Sequence, residues 1–312
     1  MKERTCAVIN PAASRGRAHR EWKTIAPRLR EAVGPLDAVF TDAPQAATQL
    51  AREALYAGAE LVVSVGGDGT LNEVVNGFFA PHGPHNPDAH LGVLMVGTGG
   101  DFRRTIGLPA DTHGQIARIA AGTHRAIDVG RLTVGAPGGT QRVSYFDNIC
   151  SFGLSGATDS VVNALTYAKL FGGKFAFQWG MLKALVGYKN KPVRIQVDDH
   201  FDETLRISTV AVAIGQYFGG GMRVAPEAVI DDGLFDVIIV GDISKAELLR
   251  RVNKVYTGAH IGLHDVTVLR GRRVVATPVD PVDAVLIDSD GEVAGSLPAT
   301  FEVVPSALRV RA

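Results

Sequence analysis

The sequence has no excess of charge of either sign and no basic cluster interleaved with aromatic residues. Its 32 lysines and arginines balance 32 aspartates and glutamates, so the chain has no net field that would attract a nucleic acid. We therefore expect no nucleic acid partner.

Cysteine is scarce, and long apolar runs are missing. Cys6 and Cys150 are the only cysteines and lie far apart, which excludes a disulfide framework and a zinc-type cluster. No apolar stretch approaches the ~20 residues needed to cross a bilayer. The apolar run after Arg4 is too short for a signal peptide. We expect a cytoplasmic protein without a transmembrane segment.

The length and the pattern of apolar residues predict two domains. A chain of 312 residues, 46% of them hydrophobic, suits two globular cores. Over residues 1–124, apolar strands alternate with helical stretches, which predicts an α/β domain with a parallel sheet. Over residues 125–305, repeated short strands predict a β-rich antiparallel sandwich. The first domain is predicted to contain strands at Cys6–Ile9, Asp37–Phe40, Leu61–Val65 and Leu91–Val96, and helices at Ala18–Val33, Ala43–Ala57, Leu71–Phe78 and Thr112–Ala121.

The most informative segment is Leu61–Asn76, in which an apolar strand meets Gly66-Gly67-Asp68-Gly69-Thr70 and passes into a helix. Glycines in such a turn allow close approach to the backbone, and the start of a helix favours anions, phosphate above all. Thr70 or Asp68 is predicted to cap the helix. Glycine turns also occur as plain connections, so a ligand site needs further support.

That support comes from two more strand ends of similar character. Leu91–Val96 leads into Gly97-Thr98-Gly99-Gly100-Asp101-Phe102, and Cys6–Ile9 leads into Asn10-Pro11. In open parallel sheets, ligands bind beyond the carboxyl ends of the strands. Three such loops together favour a nucleotide pocket.

These segments, in this order, resemble the catalytic domain of the diacylglycerol kinase and sphingosine kinase superfamily, with bacterial soluble lipid kinases as the nearest match. The resemblance continues through Pro226-Glu227-Ala228, Asp231–Asp236 and Asp290-Gly291-Glu292. It implies that residues 306–312 return to the first domain. In the family, asparagine usually stands where this chain has Gly100, and we expect the difference to affect nucleotide affinity.

The resemblance also implies residue roles for ATP and Mg²⁺. The positions that match the nucleotide site are Asn10, Thr41, Gly66, Gly67, Asp68, Gly69, Thr70, Leu71, Asn72, Thr98 and Glu292. Asp290 and Asp68 compete as the catalytic proton acceptor. We favour Asp290, because a carboxylate within the phosphate loop is better placed to hold Mg²⁺ or to orient the loop. A structural Mg²⁺ is implied at the Asp232 side chain with carbonyl oxygens of Val229 and Leu234.

The best candidate for lipid contact is Tyr167–Tyr188, where aromatic and aliphatic residues mingle with lysines. Such a segment suits acyl chains and anionic headgroups, so we expect a lipid partner met at the membrane surface. The same residues could instead belong to a core or a subunit contact, and a homodimer is compatible with this interpretation.

The sequence therefore predicts an ATP-dependent lipid kinase, with diacylglycerol as the favoured substrate and phosphatidic acid as the product. The alternatives within the class are a kinase of sphingoid bases, ceramide or another glycolipid. An NAD kinase-like enzyme shares the Gly-Gly-Asp-Gly-Thr loop, but Asn10-Pro11, Asp232-Gly233 and Asp290-Gly291-Glu292 argue against it. A non-catalytic nucleotide or lipid sensor is supported by Gly100 and opposed by the presence of all three aspartates.

Overall fold

The computed structural model describes residues 3–81, 83–96, 100–135, 139–158 and 187–312. The chain divides into two compact units, the first formed by Met1–Val129 with Ser306–Ala312 and the second by Gly130–Pro305. The sequence placed the boundary after residue 124, just before strand β7 (Arg125–Gly135), within which the division falls. The predicted classes, α/β for the first domain and antiparallel β for the second, are confirmed.

The first unit is built on a parallel sheet with the strand order β2, β1, β3, β6 and the end of β20. All residues of β1 and β3 are buried, as continuous apolar runs of parallel strands predict. The strands are β1 (Thr5–Ile9), β2 (Leu36–Phe40), β3 (Leu61–Gly66), β6 (His90–Met95) and β20 (Ala299–Arg311). Two short strands, β4 (Phe79–Ala80) and β5 (Gly83–Pro84), form a small hairpin.

Helices connect these strands and cover the sheet. They are α1 (Ala13–Val33), α2 (Ala46–Tyr56), α3 (Asp68–Phe78), α4 (Asp101–Thr105) and α5 (Thr112–Ala120). Trp22 and Leu29 of α1 and Ile119 of α5 share one buried cluster with β1 and β3. Ser14, Arg15 and Gly16 near the start of α1 have non-helical φ and ψ angles, so regular helix follows from Arg17, close to the predicted start at Ala18. Helix α3 begins at Asp68, earlier than the predicted Leu71, and the connection from β3 is correspondingly short.

The second unit contains two sheets. The strands of the first are β7, β8 (Gln141–Phe146), β10 (Lys191–Val197), β11 (Phe201–Ile207), β17 (Arg273–Pro278) and the start of β20. The second has the antiparallel order β16 (Val266–Gly271), β15 (Phe235–Val240), β12 (Thr209–Ala213), β9 (Ile149–Gly153), β18 (Leu286–Ser289) and β19 (Glu292–Ser296). The hairpin of β13 (Tyr217–Phe218) and β14 (Met222–Arg223) and helix α6 (Lys245–Thr257) complete the unit.

Aromatic pairs form the core between the two sheets of the second unit. Phe152 on β9 stacks on Phe301 on β20 with ring centroids 5.8 Å apart. Phe146 on β8 stacks on Phe235 on β15 at 5.7 Å. All four rings are fully buried, and buried rings of this kind dominate core energetics. The stacking holds the second sheet, which carries Asp290 at one of its turns, against the first.

Two features that the composition raised can be located in the structure: the apolar length of the described helices and the state of the two cysteines. None of the described helices is long and apolar enough to span a membrane. Cys6 and Cys150 are both free and buried. Burial raises the pKa of the Cys6 thiol to about 11, and burial together with nearby aspartates raises the pKa of Cys150 well above its ordinary value. Both thiols stay protonated near neutral pH.

Candidate nucleotide site and catalytic carboxylates

The side chain of Asn10 joins the loop after β1 to the loop after β3. Its amide nitrogen donates a hydrogen bond to Thr70 Oγ1 at 3.0 Å, and its Oδ1 accepts the backbone N–H of Ala12 at 3.0 Å. The backbone N–H of Asn10 donates to the carbonyl oxygen of Val65 at 3.0 Å. Asn10 therefore fixes both the turn of its own loop and the distance of that loop from α3.

Gly66 and Gly67 let the chain turn from β3 into α3 without a side chain in the way. A Cβ on Gly66 would lie 2.5 Å from Thr70 Oγ1, whereas a Cβ on Gly67 would meet nothing within 4 Å. The N-cap of α3 is Gly67, so the predicted capping by Thr70 or Asp68 is wrong. Both side chains bond to other loops instead. The N–H groups of the first turn of α3 are thereby left for a bound anion.

The carboxylate of Asp68 ties the loop after β3 to the loop after β6. Its Oδ2 accepts the backbone N–H of Gly100 at 2.8 Å, and its Oδ1 accepts the N–H of Phe102 at 3.4 Å. Gly100 is the N-cap of α4, so a side chain from another loop caps that helix. With both oxygens bonded to backbone, Asp68 orients the loop after β6.

Gly100 stands where the resembling family has asparagine, and its backbone explains the exchange. Its φ is +102°, in the left-handed region, which glycine adopts without steric cost and asparagine tolerates better than most residues. A Cβ at this position would lie 3.1 Å from Arg103 Nε. Glycine therefore preserves the conformation of the loop and removes only a side-chain amide.

A left-handed turn at Ser14–Gly16 is a feature that the sequence did not predict. The φ angles of Ser14, Arg15 and Gly16 are 50°, 59° and 76°, and Ser14 Oγ donates to the carbonyl oxygen of Val96 at 2.8 Å. Within this turn the N–H of Gly16 donates to the carbonyl oxygen of Ala12 at 3.2 Å. Non-glycine residues held at positive φ concentrate at ligand-binding loops. Gly16 was the only local sign, since serine and arginine do not favour this region.

The remaining predicted nucleotide residues fall into three groups. The side chains of Thr41 and Asn72 are partly exposed near the ends of β2 and β3. The side chain of Leu71 is buried in the core, so only its backbone could meet a ligand. Thr98 lies outside the described residues, and Glu292 begins β19 in the second unit.

Asp290 occupies a tight hairpin turn of the second unit. Asp290 and Gly291 join β18 to β19 with φ values of 50° and 89°, as in the mirror-image turns that fit two-residue hairpins. Asp290 Oδ2 accepts the backbone N–H of Asp147 at 3.0 Å, and Oδ1 accepts the N–H of Ile149 at 2.9 Å. The turn and these two bonds fix the direction of the carboxylate.

The carboxylate of Asp232, the predicted ligand of a structural Mg²⁺, already has a cationic neighbour. Its Oδ1 accepts the N–H of Leu234 at 3.0 Å, and its Oδ2 contacts the guanidinium of Arg270. The oxygen donors of Asp232, Val229 and Leu234 suit Mg²⁺ chemically, but an ion there would share the carboxylate with Arg270 or displace it. Within the described ranges, no group of three or more His, Cys, Asp or Glu residues is arranged to hold a metal.

Arg270 also lies near a second carboxylate. Its Nε is 3.6 Å from Asp236 Oδ2, and the two residues are paired across β15 and β16. Burial raises the pKa of Asp236, and the Arg270 guanidinium opposes that rise. Arg270 is therefore the local counter-charge for both Asp232 and Asp236.

An apolar cavity of about 110 Å³ lies within the second unit. Strands β9, β12 and β15 form one wall, and Leu248, Val252 and Val255 of α6 line the other. None of the residues of α6 is fully buried, so a half-exposed helix covers the cavity. Sequence reasoning missed it. The predicted lipid contact was Tyr167–Tyr188, of which residues 167–186 lie outside the described residues.

Polar groups in the wall of this cavity are neutral or paired. His260 is 4% exposed, and its Nε2 lies 2.9 Å from the carbonyl oxygen of Val224. Burial lowers the pKa of His260, which keeps its imidazole neutral at pH 7. Arg251 forms an ion pair with Asp265. A cavity with this lining suits an uncharged, apolar chain.

Comparisons with known proteins agree with both units. Residues 4–132 match the model of the diacylglycerol kinase catalytic domain, and residues 148–312 match that of the YegS C-terminal NAD kinase beta sandwich-like domain. The diacylglycerol kinases of Bacillus subtilis strain 168 and Staphylococcus carnosus strain TM300 are 28% and 29% identical to this chain. Each alignment covers 96% of this chain and 93% or 92% of the relative.

Solved structures share the fold. A diacylglycerol kinase from Bacillus anthracis str. Sterne superposes with a TM-score of 0.70 at 20% identity, over 99% of this chain and 96% of that one. Yeast NADH kinase, complexed with NADH, gives a TM-score of 0.56 at 10% identity, over 99% and 83%. Both likenesses concern the fold. The two domain matches, together with the similarity to diacylglycerol kinases over 96% of the chain, show that this chain is a kinase and belongs to the lipid kinase family in which a diacylglycerol kinase catalytic domain precedes a YegS-type C-terminal domain.

Proposed function

We propose that this protein transfers the γ-phosphate of ATP to a hydroxyl group of diacylglycerol, giving phosphatidic acid. The observation that carries the proposal is the set of loops after β1, β3 and β6, which Asn10 and Asp68 hold together. Between these loops, the start of α3 has no side-chain cap, and its backbone N–H groups would meet a polyphosphate. The names of the relatives support a diacylglycerol acceptor.

The first unit would hold the nucleotide. The first turn of α3, which no side chain caps, would supply N–H donors for the phosphates. Mg²⁺ accompanying ATP would spread the negative charge that develops on the transferred group. The open space at Gly67 is where the backbone allows the closest approach.

The second unit would supply the base and the lipid-binding surface. As the lipid oxygen bonds to the γ-phosphorus and the bond to ADP breaks, the hydroxyl proton passes to the Asp290 carboxylate. Asp68 and Asp290 each accept two backbone N–H groups, so hydrogen bonding does not separate them. Asp290 is favoured as the base because Asp68 lies within the phosphate loop, where it is better placed to orient that loop or to hold Mg²⁺. The apolar cavity under α6 would take part of an acyl chain, which is consistent with lipid met at a membrane surface.

Phosphate transfer from γ-labelled ATP with Mg²⁺ to lipids in mixed micelles tests this function. Diacylglycerol, sphingosine, ceramide and a glycolipid should be offered in parallel, with NAD as a water-soluble acceptor. We expect label on diacylglycerol. Label on another of the lipids would keep the mechanism and change the substrate. Label on NAD, or ATP binding without any transfer, would contradict the proposal.

Asp290→Asn should abolish turnover and leave ATP binding nearly unchanged. Asparagine is well tolerated at positive φ before glycine, so the hairpin should persist while the base is lost. Loss of a general base typically costs about 10²–10⁴-fold in kcat. Steady-state kinetics with calorimetric measurement of ATP binding checks this. An equal loss of ATP affinity would show that Asp290 is not the base.

Gly66→Ala and Gly67→Ala form a matched pair for the phosphate loop. Because a Cβ on Gly66 would collide with Thr70, Gly66→Ala should lower the free energy of unfolding by about 1–3 kcal/mol. Gly67→Ala should change it by less than about 0.5 kcal/mol, yet weaken ATP binding, because its Cβ enters the space proposed for phosphate. Chemical denaturation and ATP titration separate the two effects. Unchanged ATP affinity in folded Gly67→Ala would place the phosphates elsewhere.

Leu248→Trp and Leu249→Trp test the cavity from neighbouring positions of α6. Leu248 lines the cavity, whereas Leu249 is 43% exposed and does not. Leu248→Trp should raise the KM for a long-chain diacylglycerol by about tenfold or more and leave the KM for ATP unchanged. Leu249→Trp should alter neither. Melting curves show whether each variant is folded. Equal KM values for lipid in the two variants would show that the cavity does not bind the lipid.

The structural metal ion remains a prediction, and Arg270 offers a way to test it. Without nucleotide, Mg²⁺ should raise the Tm of the wild type over that in chelator, because an ion that binds only the folded state stabilises it. Asp232→Asn should remove this rise. Arg270→Gln should lower Tm in chelator and enlarge the rise, because it frees Asp232 Oδ2. A wild-type Tm that is insensitive to Mg²⁺ would contradict the site.

A further inference from the structure

Asp288 is a buried carboxylate beside the catalytic turn that the proposed mechanism does not use. It is 2% exposed. Its Oδ1 accepts the backbone N–H of Gly291 at 2.9 Å, and its Oδ2 accepts the hydroxyl of Ser151 at 3.3 Å. Burial of a carboxylate is costly unless hydrogen bonds compensate for the lost hydration. The buried carboxylate of Asp288 therefore indicates a role other than filling space in the core.

The strand that carries Asp288 changes register at this residue. In the pairing of β18 with β19, the register shifts between Ile287 and Asp288, so that Asp288 lies opposite Val293. On its other side, Asp288 lies opposite Ser151 of β9. Irregularities of this kind re-aim side chains next to active sites. Here the Asp288 carboxylate reaches forward along the hairpin to the second residue of the turn.

The Asp290–Gly291 turn is consequently held from two sides. On one side, Asp290 bonds to the segment before β9 through its carboxylate, and its N–H donates to the carbonyl oxygen of Ile149 at 3.1 Å. On the other side, Asp288 holds the N–H of Gly291. A non-glycine residue at positive φ is strained and persists only where the surroundings fix it. Asp288 is part of what fixes it.

We infer that Asp288 is a positioning residue for the base: it holds the Asp290–Gly291 turn so that the Asp290 carboxylate keeps its reactive direction. Ser151, which donates to Asp288, also lines the apolar cavity. Ser151, Asp288 and Gly291 thus form a hydrogen-bonded chain from the cavity wall to the catalytic turn. This inference rests on the proposed function, because it assigns Asp288 to the reaction that Asp290 serves.

Asp288→Asn is the variant that tests the inference. An asparagine has one acceptor oxygen for two donors, so one of the two bonds is lost with little change in volume. We expect kcat to fall by up to about a hundredfold, the cost of a small misplacement of a reacting group, with the KM for ATP unchanged. Ser151→Ala should cause a smaller loss of kcat in the same direction, and it serves as a second variant if Asp288→Asn does not fold.

Asp198→Asn is the matched control. Asp198 also lies in a hairpin turn at positive φ, 45°, and accepts the backbone N–H groups of Arg272 and Arg273 at 2.9 and 2.8 Å. It is exposed and belongs to the turn between β10 and β11. Asp198→Asn should lower stability slightly and leave kcat unchanged. A similar loss of kcat in Asp198→Asn and Asp288→Asn would show that the loss comes from general destabilisation, and it would overturn the inference.

A double variant separates positioning from a structural effect. If Asp288 acts through Asp290, then Asp288→Asn should reduce residual turnover no further in the Asp290→Asn background. A purely structural role would lower turnover by the same factor in both backgrounds. Such additivity would overturn the inference.

Hydrogen exchange of the Gly291 amide, followed by NMR, gives a readout that needs no activity. The amide should exchange about tenfold faster in Asp288→Asn, because it loses a bond to a charged acceptor. Faster exchange with wild-type kcat would overturn the inference and leave the proposed function intact. If the wild type transfers phosphate to no lipid, the proposed function fails. The inference fails with it, whatever the exchange of Gly291 then shows about the turn.

Discussion

Hydrogen bonds from backbone N–H groups to side-chain oxygens hold three of the described loops of the candidate site, and the candidate site depends on them. Asp68 accepts from the loop after β6, Asn10 from its own loop, and Asp290 from Asp147 and from Ile149 at the start of β9. A bond to a charged acceptor contributes about 1.5–3 kcal/mol, more than one between neutral groups. Residues that the family motif assigns to chemistry therefore also hold the loops in place. Asp68 shows this most clearly, because both of its oxygens are used to position a neighbouring loop.

The fold was predictable where one physical signal dominates. A short, β-branched apolar run that ends in glycines, such as Leu61–Val65, is typical of a buried strand between covered faces, so the parallel sheet followed from apolar runs that alternate with helices. Helix starts were less predictable. The interruption of α1 near its start was not predicted, because Ser14 and Arg15 take left-handed conformations that neither residue type favours. Helix α6 was missed, although Ser244 and Glu247 form the usual start signal, and Ser244 Oγ does accept the N–H of Glu247.

The candidate site was predictable only where its residues lie in short, continuous segments of the sequence. Glycine turns at strand ends placed Gly66 and Gly67, and the resemblance supplied Asp290. The partners of these residues lie far away in the chain: Asp68 meets Gly100, and Asp290 meets the segment before β9. Such pairings arise from tertiary packing and leave no periodic pattern in the sequence. The cavity was equally hard to predict, because its walls come from three strands and one helix that are far apart in the chain. Its only sign in the sequence is the spacing of Leu248, Val252 and Val255 on one face of α6.

The charges of the described loops indicate how the protein would hold a polyphosphate without a basic field. Arg17 is paired with Glu21, and Arg104 with Asp101, so these arginines bring little net charge to the loops. The chain as a whole is neutral. We expect oriented backbone N–H groups of the first turn of α3, which no side chain caps, to supply much of the attraction for phosphate. Backbone dipoles act only over the first turn of a helix, so their effect depends on the exact path of each loop. This is why the side chains that fix the loops matter as much as any residue that would touch ATP.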